Sequence, residues 1–243
     1  MANPVPLDPS LHSGLRVRNA PDLDIVRGQQ VLPVTVHEFA QVALDCPIVF
    51  IKNAETGQFQ SVALLGLAQG ENLLLQGDKW LGTFFPGALR MSPFKLLIAN
   101  PEAETVTVAI DTDSALVNET EGERLFSDAG ELTEFMAKRR DDLQAYVQQG
   151  HVTQAFMTLL ANKEMLIQQS LSLDINGVKV QVDGIYLVDE KKLREIDDQT
   201  ILDLNQRGFL QAIYAHLMSL RQATRLARIK LEAASEGPSI RGA

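Results

Sequence analysis

PIVFIKNAETGQFQSVALLGL, residues 47–67, is the stretch from which the fold is read. Ile48-Val49-Phe50-Ile51 is a short apolar run; Asn53, Glu55 and Gly57 follow as turn-formers; Phe59 and the run Val62–Leu67 resume the apolar pattern. Two such runs parted by turn residues predict an antiparallel hairpin with a five-residue loop. Downstream, Leu73-Leu74-Leu75 between Gly70 and Gly77 adds a short strand. Phe94–Ile98, a turn at Pro101-Glu102 and the alternating Val106, Val108 and Ile110 add a second hairpin. Together these predict a small antiparallel sheet or partly open barrel over residues 33–113. Upstream, Thr35 is placed to cap a short helix carrying Glu38, Phe39 and Val42 that ends before Pro47. Before it, Pro4, Pro6, Pro9 and Pro21 predict an extended arm.

Beyond an acidic, small-residue stretch at Asp111–Gly130 the pattern changes. Leu132, Phe135, Met136, Leu143 and Val147 recur at helical period up to Gly150, which reads as a stop; Gln154–Ala161 reads as a second short helix. Met165–Ile175 and Val178–Val188 flank Asn176-Gly177, the dipeptide suited to a type I′ turn, and predict a hairpin over 165–188. Asp189 and Asp198 are placed as helix caps, and a long final helix is expected from about Phe209 to Leu231. The fold class is therefore α+β. The composition shift divides the chain into a mainly β part, residues 1–120, packed with a helix-rich part, residues 121–243.

The chain has 243 residues, 45% of them hydrophobic, and a net charge of −9. That is enough apolar material for a core. The acidic balance argues against nucleic acid, whose backbone is held by Lys and Arg. No apolar run approaches the roughly 20 residues a spanning helix needs, and the first thirty residues show no leader-like segment, so a soluble cytoplasmic protein is expected. One cysteine, Cys46, fits a reducing compartment. From Arg221 to Ala243 there are five basic and two acidic residues, so this tail is +3 and residues 1–220 carry −12. Arg221, Arg225 and Arg228 stack on one helical face. They suit a helix C-terminus, an anionic partner surface or the acidic body of the chain itself.

Motifs for chemistry are scarce. No phosphate-binding loop or nucleophile elbow occurs, and Gly66–Gly70 lacks the lysine and hydroxyl a nucleotide would need. Asp111–Glu119 begins like a calcium loop, but Ala115 and Leu116 stand where an oxygen ligand and a glycine belong. His12, His37, His151 and His216 are scattered without ligand spacing, so neither metal nor cofactor is expected. The unusual stretch is Trp80–Phe94, which gathers the one tryptophan, Phe84, Phe85, Phe94 and Arg90 without helical or strand period. It is either a loop packed inward, with Arg90 satisfying carbonyls, or a rigid contact surface, since Trp and Arg anchor interfaces.

The order of these signals resembles the SapC family of bacterial proteins. The resemblance is carried by His12–Arg16, Glu38-Phe39 with Pro47–Phe50, Leu64–Leu67 with Glu71–Leu73, and Trp80 through Pro86, Leu89, Arg90, Pro93 and Phe94. It continues through Glu121-Gly122, Leu125-Phe126, Gly130, Gly184–Tyr186, Val188–Glu190 with Lys192 and Leu193, Gly208, and Ala215-His216-Leu217 with Ser219-Leu220. It implies an accessory role: the family is named for an association with surface layers, and members accompany outer-membrane receptors, flavin-dependent halogenase-like proteins and cupin-like proteins. A permease label that members often bear conflicts with the missing span. No catalytic residue carries over.

The leading expectation is thus a non-enzymatic accessory protein. It would contact a protein partner or a second copy of itself, as a homo-oligomer, through Trp80, Phe84, Phe85, Arg90, Phe94, Arg221, Arg225 and Arg228. Two alternatives stand beside it. One is an enzyme or enzyme subunit with a small-molecule pocket between the halves, for which His12, His37 and His216 are the acid/base candidates. The other is a surface-layer component.

Overall fold

A computed structural model describes residues 4–100, 105–175 and 177–235. The fold is mixed α+β, with open antiparallel sheets and helices concentrated toward the C-terminus. Its contacts group into two compact units, each made of two chain segments: Met1–Ile25 with Phe85–His151, and Val26–Phe84 with Val152–Ala243.

In the second unit the hairpin Ile48–Lys52 and Phe59–Leu64 forms in register, from Ile48 opposite Ala63 to Lys52 opposite Phe59. Asn53 N–H donates to the Gln58 carbonyl and Gly57 N–H to the Asn53 carbonyl, closing the loop. The hairpin is the middle of a five-stranded antiparallel sheet: Leu166–Gln168, Ile185–Val188, Ile48–Lys52, Phe59–Leu64, Val31–Pro33. Two of these strands come from the C-terminal half, so the sheet is not confined to residues 33–113. The hairpin Phe94–Asn100 with Thr105–Ile110 belongs instead to the first unit, where Val5–Pro6 joins it; its turn at Pro101-Glu102 lies outside the described residues. Buried Phe39, Phe50, Phe156 and Phe209 build the second unit's core, with edge-on contacts at 5.9 Å between Phe39 and Phe156 and 5.1 Å between Phe156 and Phe209. Met91, Phe94, Ile110, Leu125, Met136 and Leu143 form the core of the first.

The 165–188 hairpin forms in two tiers, Leu166–Gln168 against Ile185–Val188 and Leu171–Ile175 against Val178–Val182. Gly177 holds φ +83°, a backbone that suits glycine, while Asn176 lies outside the described residues.

Local chemistry explains where the elements depart from expectation. The N-terminal arm includes a short helix, Pro9–His12, because Pro9 occupies its first turn and the Asp8 carboxylate accepts from the Ser10 N–H at 2.8 Å. The expected stop at Gly150 is absent and one helix runs Glu134–Asn162; a glycine weakens a helix by only about 1 kcal/mol. Asp189 caps its helix as expected, whereas Asp197, not Asp198, caps Asp198–Gln206 by accepting from Thr200 N–H at 2.8 Å. The last helix is two, Phe209–Ser219 and Gln222–Ser235. Between them Arg221 and Thr224 donate three residues back, and the Ser219 hydroxyl takes the His216 carbonyl at 2.6 Å.

Candidate functional site

The Trp80–Phe94 segment is shared between the units. Trp80 and Phe84, in the second, are half-buried. Trp80 closes the two-rung hairpin Leu75–Gln76 with Lys79–Trp80, and its indole N–H donates to the Phe84 carbonyl at 3.0 Å. Asp45, only 3% exposed, clasps this loop: its Oδ2 accepts from Thr83 N–H at 2.7 Å, Thr83 Oγ1 at 3.1 Å and Phe84 N–H at 3.1 Å. Arg225 completes the clasp, donating through Nη1 to the Asp45 carbonyl at 2.6 Å and through Nη2 to the Leu81 carbonyl at 2.8 Å. Gly82 is required by this crowding, because a Cβ there would stand 2.5 Å from Trp80 Nε1. Asp45 was not a candidate from the sequence; nothing local marks a carboxylate that receives a loop 38 residues away.

The three arginines therefore do different things. Arg225 turns inward, whereas Arg221 and Arg228 are exposed, with Arg228 Nε 3.7 Å from Glu232 Oε1. Lys230 reaches Glu71 at 2.7 Å. Arg221 continues the outward face of helix Phe209–Ser219, whose large exposed side chains are Tyr214, 52% exposed, and Met218, 73%. A spacing of four puts 214 and 218 on one side of the helix, and exposed Arg221 follows in the turn just after it. Leu44, 67% exposed, follows the short helix Phe39–Val42 that packs on this same helix. The sequence signal for Tyr214 and Met218 was available: they fall opposite the buried Ala212, Ile213 and His216.

In the first unit, Phe94 is 2% exposed and belongs to the core. Phe85 and Arg90, the latter exposed on the short helix Gly87–Met91, line a cavity of about 340 Å³ with Asn19, Arg139, Asp142 and Tyr146. Arg139 is fixed there: Nη1 donates to the Arg90 carbonyl at 2.9 Å, Nη2 to Asn19 Oδ1 at 3.0 Å, and the guanidinium carbon lies 5.5 Å from the Phe135 ring centre. Its Nε is buried and meets no hydrogen-bond partner among the described residues. Burial pulls the Arg139 pKa below the usual arginine value; the Asp142 carboxylate opposes that pull and the Arg90 charge adds to it.

His216 is fully buried in the second unit. By register Ile48 stands opposite Val188, but the ladder between these strands ends at Phe50 and Tyr186, and the imidazole fills the gap. Nδ1–H donates to the Ile48 carbonyl at 2.8 Å and Nε2 accepts from Val188 N–H at 3.1 Å, which fixes the neutral tautomer. Ser219 Oγ accepts from Ile48 N–H at 2.9 Å. Desolvation pushes the His216 pKa down to about 4, against the Ile48 hydrogen bond. His12, in the first unit, accepts from Asp8 N–H through Nδ1 at 2.9 Å; His37 and His151 are exposed. Cys46 is buried, which raises its thiol pKa above the ordinary value. Among the described residues no three His, Cys, Asp or Glu side chains gather as a metal ion would need, and no helix is long and apolar enough to cross a membrane.

No curated protein and no solved structure matches the chain. The SapC family profile, in contrast, matches residues 7–226, which takes in both units and nearly all the elements described above. The chain belongs to the SapC family.

Proposed function

We propose that this SapC-family chain is an accessory protein that acts by binding another protein rather than by catalysis. Its contact surface is the outward face of helix Phe209–Ser219, continued by Arg221. The observation that carries the reading is the exposure of Tyr214 and Met218 on one side of that helix with exposed Arg221 one turn on. Tyr, Met and Arg are enriched at protein interfaces, and large apolar groups held in water are unfavourable unless something covers them. Trp80 and Phe84 serve the reading indirectly, as a clasped loop, while Arg225 is committed to Asp45. Two copies would bring like-charged bodies together, which favours a different protein as the partner.

The test is recovery of partners from the native cell with the wild-type chain and with Tyr214→Ser/Met218→Ser as baits, read by mass spectrometry, alongside light scattering of both purified chains. The reading requires a monomer that retains a reproducible partner, lost by the double variant at unchanged melting temperature. A dimer that the double variant dissociates, or a partner that it retains, overturns it.

A further inference from the structure

We infer that the cavity in the first unit is a binding site for a small monocarboxylate with an apolar, planar body, held by Arg90 and Arg139. This goes beyond the protein-contact surface, which lies on other residues. A volume of about 340 Å³ is at the small end for ligand pockets and suits a metabolite-sized molecule. Two guanidinium groups and one carboxylate, Asp142, give the lining a surplus of one positive charge, matched by a single negative charge. A doubly charged phosphate would leave that surplus overbalanced and face Asp142 as well.

Arg139 is the stronger argument. Its two Nη atoms are anchored on the Arg90 carbonyl and Asn19, so the guanidinium is held in one orientation before any ligand arrives. It is nonetheless left with an unpartnered Nε and with no carboxylate at ion-pair distance among the described residues. A half-buried cation with no carboxylate in ion-pair contact, only the more distant Asp142, and beside a second cation, is an arrangement that an added anion would stabilise. Arginine's planar fork is suited to a carboxylate, and its preorganisation removes part of the entropy of binding. Phe85 and Tyr146 supply the flat apolar walls, which select for an aromatic or similarly planar body rather than a bare anion.

The experiment titrates the full chain at low salt with benzoate, its neutral isostere benzamide, and inorganic phosphate, by calorimetry and by protein NMR. Benzoate is expected to bind with a Kd on the order of 1 mM, the range that ligand efficiency permits a molecule of its size. Benzamide and phosphate are expected to bind at least about tenfold more weakly. Arg139→Gln is expected to weaken benzoate by about tenfold or more, and Arg90→Gln, at an exposed position, by a smaller factor, each compared at a melting temperature that shows the variant folded. Asp142→Asn is expected to tighten benzoate, a gain that no purely structural role for these residues would produce. Equal binding of benzoate and benzamide, preference for phosphate, no saturable benzoate binding, or wild-type affinity in both arginine variants would each overturn the inference.

Discussion

Acid should weaken the second unit through one residue, His216. The folded chain holds this imidazole neutral, with Nε2 occupied as an acceptor for Val188 N–H, so protonation would set an N–H against an N–H inside the core. Its pKa falls from 6.5 to about 4 on folding. The unfolded chain therefore takes up a proton below about 6.5 while the folded chain resists until about 4. The stability carried by neutral His216 is complete above 6.5 and is lost progressively as pH falls from 6.5 to 4. A depression of that size amounts to about 3 kcal/mol, of which roughly 2 kcal/mol has gone by pH 5. Carboxylates titrate in the same range, so the assay is a difference. His216→Gln keeps a donor for the Ile48 carbonyl and an acceptor for Val188 N–H but has nothing to protonate. In urea unfolding at pH 7 the variant should be about 1–2 kcal/mol less stable, since it loses the ring packed at 4.6 Å on Phe50. At pH 5 that deficit should vanish or reverse. Parallel loss of stability in the two chains between pH 7 and pH 5 would show that the fold does not hold His216 neutral between the Ile48 carbonyl and the Val188 N–H.

Three further substitutions probe the other constructions. Asp45→Asn exchanges the acceptor of three loop donors for an amide and removes the charge facing Arg225; it should lower stability by about 2–3 kcal/mol in urea unfolding and expose residues 80–84 to protease. Gly82→Ala drives a methyl group into the Trp80 indole and should cost about 1–3 kcal/mol with a shift in emission of the single tryptophan. Gly150→Ala points the other way: an added Cβ meets nothing within 4 Å inside a continuous helix, so the melting temperature should rise, by the equivalent of about 0.5–1 kcal/mol.

Much of the fold is legible because it is local. The 48–64 hairpin, the Asp189 cap and the paired strands on either side of Asn176-Gly177 are each announced by residues a few positions apart. What is not legible is pairing across long separations. Nothing in Leu166–Gln168 and Ile185–Val188 says that they extend the sheet begun at Ile48, because a strand's pattern records which face is buried and not which neighbour it joins. The helix break after Ser219 is hidden as well: the Ser219 hydroxyl at its end is engaged by Ile48 N–H, 171 residues away, a contact no local pattern announces. Gly150 misleads in the opposite sense, since glycine permits a stop without imposing one. For the candidate surfaces, periodicity placed Arg221, Arg225 and Arg228 together, yet Arg225 stands one turn before buried Ile229, at the margin of the buried face, and that margin is where a long side chain can reach inward.

That margin also resolves the charge imbalance of the C-terminal segment. Two of its charges are answered by acidic residues from outside the segment, Asp45 beside Arg225 and Glu71 beside Lys230, while Glu232 beside Arg228 lies within the segment and is already counted in its net charge. Asp45 and Glu71 sit on loops that the sheet alone would leave loosely held, so these cations fasten the acidic body to the final helix rather than advertise a basic surface. Arg221 makes no such ion pair among the described residues, and it is the member of the group that adjoins Tyr214 and Met218. A charge run read as one feature thus separates into two: an internal clasp that fixes the tryptophan loop, and a single outward arginine at the end of the apolar helix face where a partner carboxylate would meet it.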